Sequence, residues 1–149
     1  FDIHKLGKGN YITIGGIKIK SSYKAIGHSD GDVVLHAVID ALLGANAKGD
    51  IGKFFPPLKK YKHISSIELL NKIKNKIDLD NSVIINLDIT IICQKIRLEK
   101  YKTPIKNNLS KLLKCNKNLI NIKGKTADKI GIFGKSEAIG CWATINLIN

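Results

Sequence analysis

Two parts of the sequence carry metal-binding residue types at spacings that could bring them together. Asp2 and His4 stand two positions apart, and in a strand such residues point to the same face. His36 lies in an apolar stretch typical of a helix, with Asp32 and Asp40 one turn to either side. Two histidines and one carboxylate can form a catalytic zinc site that keeps a fourth position open. We predict that Asp2, His4 and His36 bind zinc and that an aspartate orients the His36 ring. The alternative is a half-buried histidine that is hydrogen-bonded to one of these aspartates.

A polar segment precedes the helix that would carry His36. His28 and Ser29 stand just before the expected N-terminus, where backbone amides attract anions. This position would suit a phosphate group, whereas the alternative is plain capping of the helix by Ser29 or Asp30. Asp30 and Asp32 would oppose an anion unless a metal ion offset their charge.

The elements that position these residues can be predicted from hydrophobic periodicity. Alternating apolar residues on both sides of Gly15-Gly16 predict a β-hairpin. The first helix is expected to run to about Leu43 and to end at Gly44. Its apolar stripe consists of Val33, Val34, Ala37, Val38, Ala41 and Leu42.

Further elements follow in the second half of the chain, after a predicted loop over residues 46–63. Ser65 and Glu68 fit a capping box that opens a second helix. Thr103 and Pro104 fit the start of a third helix, which would end near Leu113. Strands are predicted over residues 82–93, 118–123 and 138–148. The first of them has an alternating apolar face of Val83, Ile85, Leu87, Ile89 and Ile91. The order predicts one α+β domain over residues 1–149, a mixed sheet with helices packed on one face, plus the hairpin.

The composition limits the classes of molecule that this protein is expected to bind. The net charge of +13 favours an anionic partner, although the Lys, Asn and Ile bias of an AT-rich genome would produce it as well. Arg97 is the only arginine, so sequence-specific nucleic-acid binding is disfavoured. No apolar run approaches the roughly 18 residues of a membrane helix. The three cysteines have no C-x-x-C spacing, so neither a disulfide framework nor a cysteine zinc site is expected.

Four blocks of sequence resemble 2-C-methyl-D-erythritol 2,4-cyclodiphosphate synthases, and the resemblance covers essentially the whole chain. The blocks are Phe-Asp-Ile-His at 1–4, His-Ser-Asp-Gly-Asp-Val-Val-Leu-His-Ala at 28–37, Asp-Ala-Leu-Leu-Gly at 40–44 and Gly-Asp-Ile-Gly-Lys-Phe-Phe-Pro at 49–56. The resemblance implies a lyase of the non-mevalonate isoprenoid pathway. Such an enzyme closes the cyclic diphosphate from 4-diphosphocytidyl-2-C-methyl-D-erythritol 2-phosphate and releases CMP.

The resemblance also implies roles for individual residues. Asp2, His4 and His36 match the zinc ligands, and His28 and Thr126 match groups that stabilise the transition state. Asp128 would hold a second divalent ion, Mg²⁺ or Mn²⁺, although the family usually has glutamate there. The residues that match substrate-binding positions are Ser29, Asp50, Ile51, Gly52, Cys93, Arg97, Leu98, Lys125 and Lys135. Of these, Lys135 would face an isoprenoid diphosphate.

The family assembles as homotrimers with active sites between subunits, so the resemblance implies a trimer with a central cavity that could bind an isoprenoid diphosphate.

The expected location is a plastid, such as an apicoplast, if the source is eukaryotic, and otherwise the cytoplasm. The opening on Phe1 suggests that the first strand has lost its start or that a targeting segment was removed.

Two other functions remain open at this point. A zinc-dependent phosphoester hydrolase would need a water-activating base, for which Asp50 is the candidate. A basic binding protein with a structural zinc would need a fourth protein ligand.

Overall fold

A five-stranded mixed sheet forms the centre of the protein. A computed structural model describes residues 1–27, 29–56, 58, 61 and 64–148. The strands are β1 (Asp2–Lys8), β2 (Tyr11–Ile14), β3 (Ile17–Lys20), β4 (Tyr23–Ile26), β5 (Val83–Ile92), β6 (Ile120–Lys125) and β7 (Ala138–Ile148). The α-helices of the described residues are α1 (Val33–Ala45), α2 (Ile51–Phe54), α3 (Ser66–Lys76), α4 (Glu99–Leu113) and α5 (Gly131–Gly134).

The sheet has the strand order β4-β1-β7-β5-β6, and β2 and β3 form a separate hairpin. Only β5 and β6 are parallel, whereas the other pairs in the sheet are antiparallel. The first four residues of β7 are all buried, and burial alternates from there on: Cys141 is fully buried, whereas Trp142 on the opposite face is 45% exposed. The predicted α+β architecture, with its mixed sheet, covering helices and hairpin, is confirmed.

The start of β5 departs from the predicted alternation. The pattern placed Val83 and Ile85 on the same face as Leu87, but Val83 is 59% and Ile85 44% exposed, whereas Ile84 is buried. The pairing with β7 shifts register between Ile84 and Asn86. An extra residue in one strand turns the following side chains to the opposite face, which a period-2 pattern does not reveal.

The first helix, α1, is buried on more sides than its stripe predicted. Leu35 and Ile39 are fully buried in addition to most of the stripe. Asp32, rather than Ser29 or Asp30, caps the helix, and the helix continues past Gly44 to Ala45.

The later helices confirm one predicted boundary and correct another. Ser65 caps α3 by accepting a hydrogen bond from the Glu68 amide, as predicted. Helix α4 starts at Glu99, a turn before the predicted start at Thr103, and Pro104 lies inside it. The first turn is closed by hydrogen bonds from the amides of Tyr101 and Lys102 to the carbonyl of the buried Leu98. Pro104, the sixth residue of the helix, cannot donate a backbone hydrogen bond.

Two elements adjoining the site were missed in the sequence. The short strand β4 extends the sheet beside β1, and α2 lies within the predicted loop. Four-residue elements such as these are too short to show a periodic pattern. Within the described part of the chain, no helix combines the length and apolar character needed to cross a membrane.

Candidate metal centre and neighbouring pocket

Three side chains from two elements meet at one point. Asp2 and His4 project from the same face of β1, and His36 projects from α1. Asp2 Oδ2 lies 2.9 Å from His4 Nε2 and 3.1 Å from His36 Nδ1. His4 Nε2 and His36 Nδ1 are 3.0 Å apart. The structure therefore brings together the residues that the spacing paired, and they form a group that could hold a metal ion.

The geometry of this group fits a tetrahedral ion. Ligands at roughly 2.0–2.1 Å from a tetrahedral zinc lie about 3.3 Å from one another. The three edges of 2.9, 3.0 and 3.1 Å between Asp2, His4 and His36 are close to that spacing. Two nitrogens and one oxygen are also ligand types that zinc accepts.

Asp2 is held in its ionised form. Burial raises its pKa, but hydrogen bonds from His36 and His4 and the charge of these rings lower it more strongly. The net result is a pKa well below the ordinary value of an aspartate. The carboxylate is therefore available as an anionic ligand at neutral pH.

Asp32 fixes the start of the helix that carries His36. It is fully buried, and its Oδ1 accepts hydrogen bonds from the amides of Val34 and Leu35, both at 3.1 Å. The same carboxylate accepts from the hairpin amides of Gly15 at 2.8 Å and Gly16 at 2.5 Å. Burial raises the pKa of Asp32, and the hydrogen bonds from these amides act against that rise. Asp32 thus joins the hairpin to α1 one turn before His36.

The prediction that Asp32 or Asp40 contacts the His36 ring is wrong. Asp32 is used for capping, and Asp40 accepts a hydrogen bond from the Ile51 amide at 2.8 Å. His36 Nε2 instead lies 2.9 Å from Ser66 Oγ and 3.0 Å from Ser29 Oγ. The sequence pattern missed Ser66 because this residue lies on another helix, 30 positions away.

A cavity of about 290 Å³ opens beside this group of side chains. His4, His36 and the predicted substrate-binding residues Ser29 and Ile51 line it, together with apolar side chains. These apolar residues are Phe55, Pro56, Leu58, Ile64 and Leu69. A mostly apolar wall with polar groups at one end suits a small ligand that is part carbon skeleton and part phosphate.

Other predicted residues near this cavity have different positions. Asp50 caps α2 and accepts a hydrogen bond from the Lys53 amide at 3.0 Å, and Gly52 lies within the same helix. His28 lies outside the described residues, so its predicted role in stabilising the transition state stays a prediction.

A second pocket brings together predicted residues from the far end of the sheet. It has a volume of about 470 Å³ and lies between the end of β5, the start of α4 and the end of β6. No described residue lines both this pocket and the cavity beside the metal group. The predicted residues that line it are Cys93, Arg97, Leu98, Lys125 and Thr126.

Gln94 organises the loop that follows Thr126. Its side-chain Oε1 accepts hydrogen bonds from the amides of Ala127 at 3.1 Å and Lys129 at 3.4 Å. Between them, Asp128 adopts a left-handed backbone with φ of 46°, and its carboxylate accepts from the Thr126 hydroxyl at 3.4 Å. Asp128 belongs to no ligand group within the described residues, so its predicted divalent ion would need ligands from elsewhere.

Lys135 and Cys93 are the remaining residues for which a role was predicted. Lys135 is exposed and forms the end of α5. Burial raises the pKa of the thiols of Cys93, Cys115 and Cys141, which leaves them protonated and poor nucleophiles at neutral pH. Cys93 therefore lines its pocket without offering thiolate chemistry.

Residues 1–148 match the model of the YgbB family. The chain is 45% identical over 140 residues to a 2-C-methyl-D-erythritol 2,4-cyclodiphosphate synthase of Clostridium botulinum, covering 93% of this chain and 90% of the relative. It is also 46% identical over 149 residues to a bifunctional enzyme IspD/IspF of Pelagibacter ubique, covering 99% of this chain but only 40% of that longer protein.

Solved structures show the same likeness. A complex of Plasmodium falciparum IspF with CDP superposes with a TM-score of 0.85 at 35% identity, covering 99% of this chain and 91% of that one. The bifunctional IspDF of Campylobacter jejuni gives a TM-score of 0.91 at 33% identity, covering 98% of this chain and 40% of that one.

Proposed function

Because the chain belongs to the YgbB family, we propose that it is a zinc-dependent phosphorus–oxygen lyase of the non-mevalonate isoprenoid pathway. It converts 4-diphosphocytidyl-2-C-methyl-D-erythritol 2-phosphate to 2-C-methyl-D-erythritol 2,4-cyclodiphosphate and releases CMP. The observation that carries this proposal is the convergence of Asp2, His4 and His36 beside a cavity whose apolar wall and polar end suit a small phosphorylated ligand.

The reaction suits the side chains at hand because it needs no protein nucleophile. An oxygen of the 2-phosphate attacks the β-phosphorus of the diphosphate, and the bond to CMP breaks as CMP leaves as an anion. Both groups are ionised at neutral pH, so the protein mainly positions two anions and offsets their repulsion. Zinc at Asp2, His4 and His36 would supply positive charge at a phosphate oxygen.

Other residues of the chain have supporting roles in this proposal. The Ser29 hydroxyl faces the cavity and can donate to a phosphate oxygen. Lys125 and Thr126 line the second pocket, where a cation and a hydroxyl can contact the diphosphate. Asp128 is the residue that would hold a second divalent ion, Mg²⁺ or Mn²⁺. The net charge of +13 favours encounter with a polyanionic substrate.

The division of these residues between two pockets supports a homotrimer with shared active sites. The cavity at the metal group and the pocket around Arg97 are separate on one chain, so one substrate would contact pockets of two neighbouring subunits. The sheet face that carries Trp142 also offers an apolar contact surface, since the ring centroids of Phe1 and Trp142 lie 4.3 Å apart and Ile3 is exposed. Lys135 would lie at the central cavity of such a trimer.

A direct test is to incubate the protein with 4-diphosphocytidyl-2-C-methyl-D-erythritol 2-phosphate and to follow the products by phosphorus NMR. We expect CMP and a cyclic diphosphate in equal amounts, with no linear phosphate product. Linear hydrolysis products would instead indicate the hydrolase. Salt-dependent retention on nucleic acid with no turnover would favour the binding protein.

The shared-site proposal predicts that two inactive variants restore each other. His36→Ala disables the metal cavity and Arg97→Glu reverses the charge at the second pocket, so each variant alone should turn over poorly. In randomly mixed trimers, roughly a quarter of the sites combine two intact halves and should regain activity. The measurement is turnover of co-expressed, doubly tagged protein relative to wild type.

The matched control mixes His36→Ala with Asp2→Ala, both in the metal cavity, and should show no recovery. If the His36→Ala and Arg97→Glu mixture is no more active than its separate components, the shared-site arrangement is wrong. Sedimentation of the wild type as a monomer at micromolar concentration would lead to the same conclusion.

A further inference from the structure

The outer side of the His36 ring is held by residues that the metal-binding pattern does not include. His36 Nδ1 faces Asp2 and His4, so Nε2 points away from the ligand group. On that side the Ser66 hydroxyl lies 2.9 Å from Nε2. Ser66 is fully buried at the first position of α3, so its hydroxyl has no access to bulk water.

Asp30 fixes the direction of these hydrogen bonds. The Ser66 hydroxyl donates to Asp30 Oδ1, and the Ser66 amide donates to Asp30 Oδ2 at 3.2 Å. A carboxylate only accepts hydrogen bonds, so the Ser66 proton is directed to Asp30. The Ser66 oxygen is then left as an acceptor for a proton on His36 Nε2.

This direction decides the tautomer of His36. A neutral imidazole with its proton on Nε2 carries its lone pair on Nδ1, which is the atom that faces Asp2 and His4. The Ser29 oxygen is a second acceptor beside Nε2, at 3.0 Å. Histidine ligands of metals commonly donate their other N–H to an outer partner, which sets ring orientation and ligand basicity.

We propose that Ser66 and Asp30 form a hydrogen-bond chain that positions His36 as a metal ligand. The chain orients the ring so that Nδ1 would face the metal, and Asp30 fixes the Ser66 hydroxyl at the other end. The chain links three parts of the fold: the turn before α1, α1 itself and the start of α3. Ser66 and Asp30 are positioning residues, because they act through His36 and touch no substrate. This inference rests on the proposed zinc site.

The test compares two adjacent serines at the start of α3. Ser66→Ala removes the hydroxyl beside His36, whereas Ser65→Ala removes the hydroxyl that caps the same helix through the Glu68 amide at 3.1 Å. Zinc affinity is measured for each purified protein by competition with a chromogenic chelator. Unfolding by urea is followed in parallel, since both variants lose a hydrogen bond of the same helix.

We expect Ser66→Ala to weaken zinc binding by about 10-fold, the lower end of the range for outer partners, because Ser29 still accepts from His36. Ser65→Ala should lower stability but bind zinc as the wild type does. The visible absorption of the cobalt(II) form, which reports ligand geometry, should shift only in Ser66→Ala. Asp30→Asn keeps an acceptor but removes the charge, and we expect a smaller loss of affinity.

The outcomes separate this inference from the function on which it rests. If the wild type itself binds no zinc, the proposed metal centre fails. If the wild type binds zinc and Ser66→Ala binds it equally well with an unchanged cobalt spectrum, the Ser66–Asp30 chain has no positioning role. If Ser66→Ala does not fold, Asp30→Asn decides, and wild-type affinity in that variant overturns the inference.

Discussion

His36→Ala is expected to lose bound zinc and to reduce turnover by at least about 10³-fold, corresponding to roughly 4 kcal/mol of transition-state stabilisation. The reason is geometric. In the proposed zinc site, His36 Nδ1 would supply one of three ligand atoms, and the remaining pair, Asp2 and His4, comes from a single strand. Two ligands with no third from α1 leave the ion too exposed to stay bound during purification.

The fold of this variant should survive. His36 lies in the interior of α1, where alanine is the best helix former, and its side chain is still 12% exposed. We expect the free energy of unfolding of the metal-free proteins to differ by no more than about 1 kcal/mol. Circular dichroism and urea unfolding check this expectation, and elemental analysis gives the zinc content.

A chelation experiment provides the control. Wild-type protein stripped of metal should lose turnover and regain it when zinc is added, whereas His36→Ala should not respond. Wild-type zinc content and turnover in His36→Ala would show that the ligand assignment is wrong.

Asp32→Ala is expected to cause the largest loss in the free energy of unfolding, about 3–5 kcal/mol, because α1 and the hairpin both lose a hydrogen-bond acceptor. The helix loses its N-cap, as the Val34 and Leu35 amides lose their acceptor. The hairpin amides of Gly15 and Gly16 also lose their acceptor. Such a loss is a large share of the 5–15 kcal/mol typical of a domain.

Asp50→Ala is the matched control, since Asp50 also caps a helix. Its carboxylate is exposed and, among the described residues, accepts a hydrogen bond only from the Lys53 amide, so its removal should cost under about 1 kcal/mol. Urea unfolding at neutral pH measures both variants. A cost below about 1 kcal/mol for Asp32→Ala would mean that water replaces the carboxylate and that the hairpin is not held by it.

Sequence patterns were sufficient to predict those features that depend on the residues of a single strand, helix or hairpin. The Asp2 and His4 pair could be predicted because alternate residues of a strand share a face. The hairpin around Gly15-Gly16 and the boundaries of β7 could be predicted for the same local reason. The family match confirms the family resemblance, whereas the roles that the resemblance implies for the remaining residues stay predictions.

Patterns failed where packing between distant segments decides. The bulge that turns Ile85 outward depends on how β5 pairs with β7. Helix α4 begins directly after Leu98, which is buried in the core, and the Asp32 carboxylate that caps α1 also accepts hydrogen bonds from the hairpin amides. Each of these outcomes involves an interaction between segments that are distant in the sequence. The periodicity of 2 residues in a strand or 3.6 residues in a helix does not reveal such interactions.

The sequence by itself determined that Asp2 and His4 lie side by side, that His36 sits on a helix, and that the chain belongs with the cyclodiphosphate synthases. Only the tertiary structure decided that β1 and α1 bring one side-chain atom each of Asp2, His4 and His36 within 3.1 Å of one another. It also decided that Ser66, rather than a neighbouring aspartate, holds the far side of the His36 ring. The physical reason is that strand and helix periodicity set where a side chain points, whereas the packing of the core sets what it meets there.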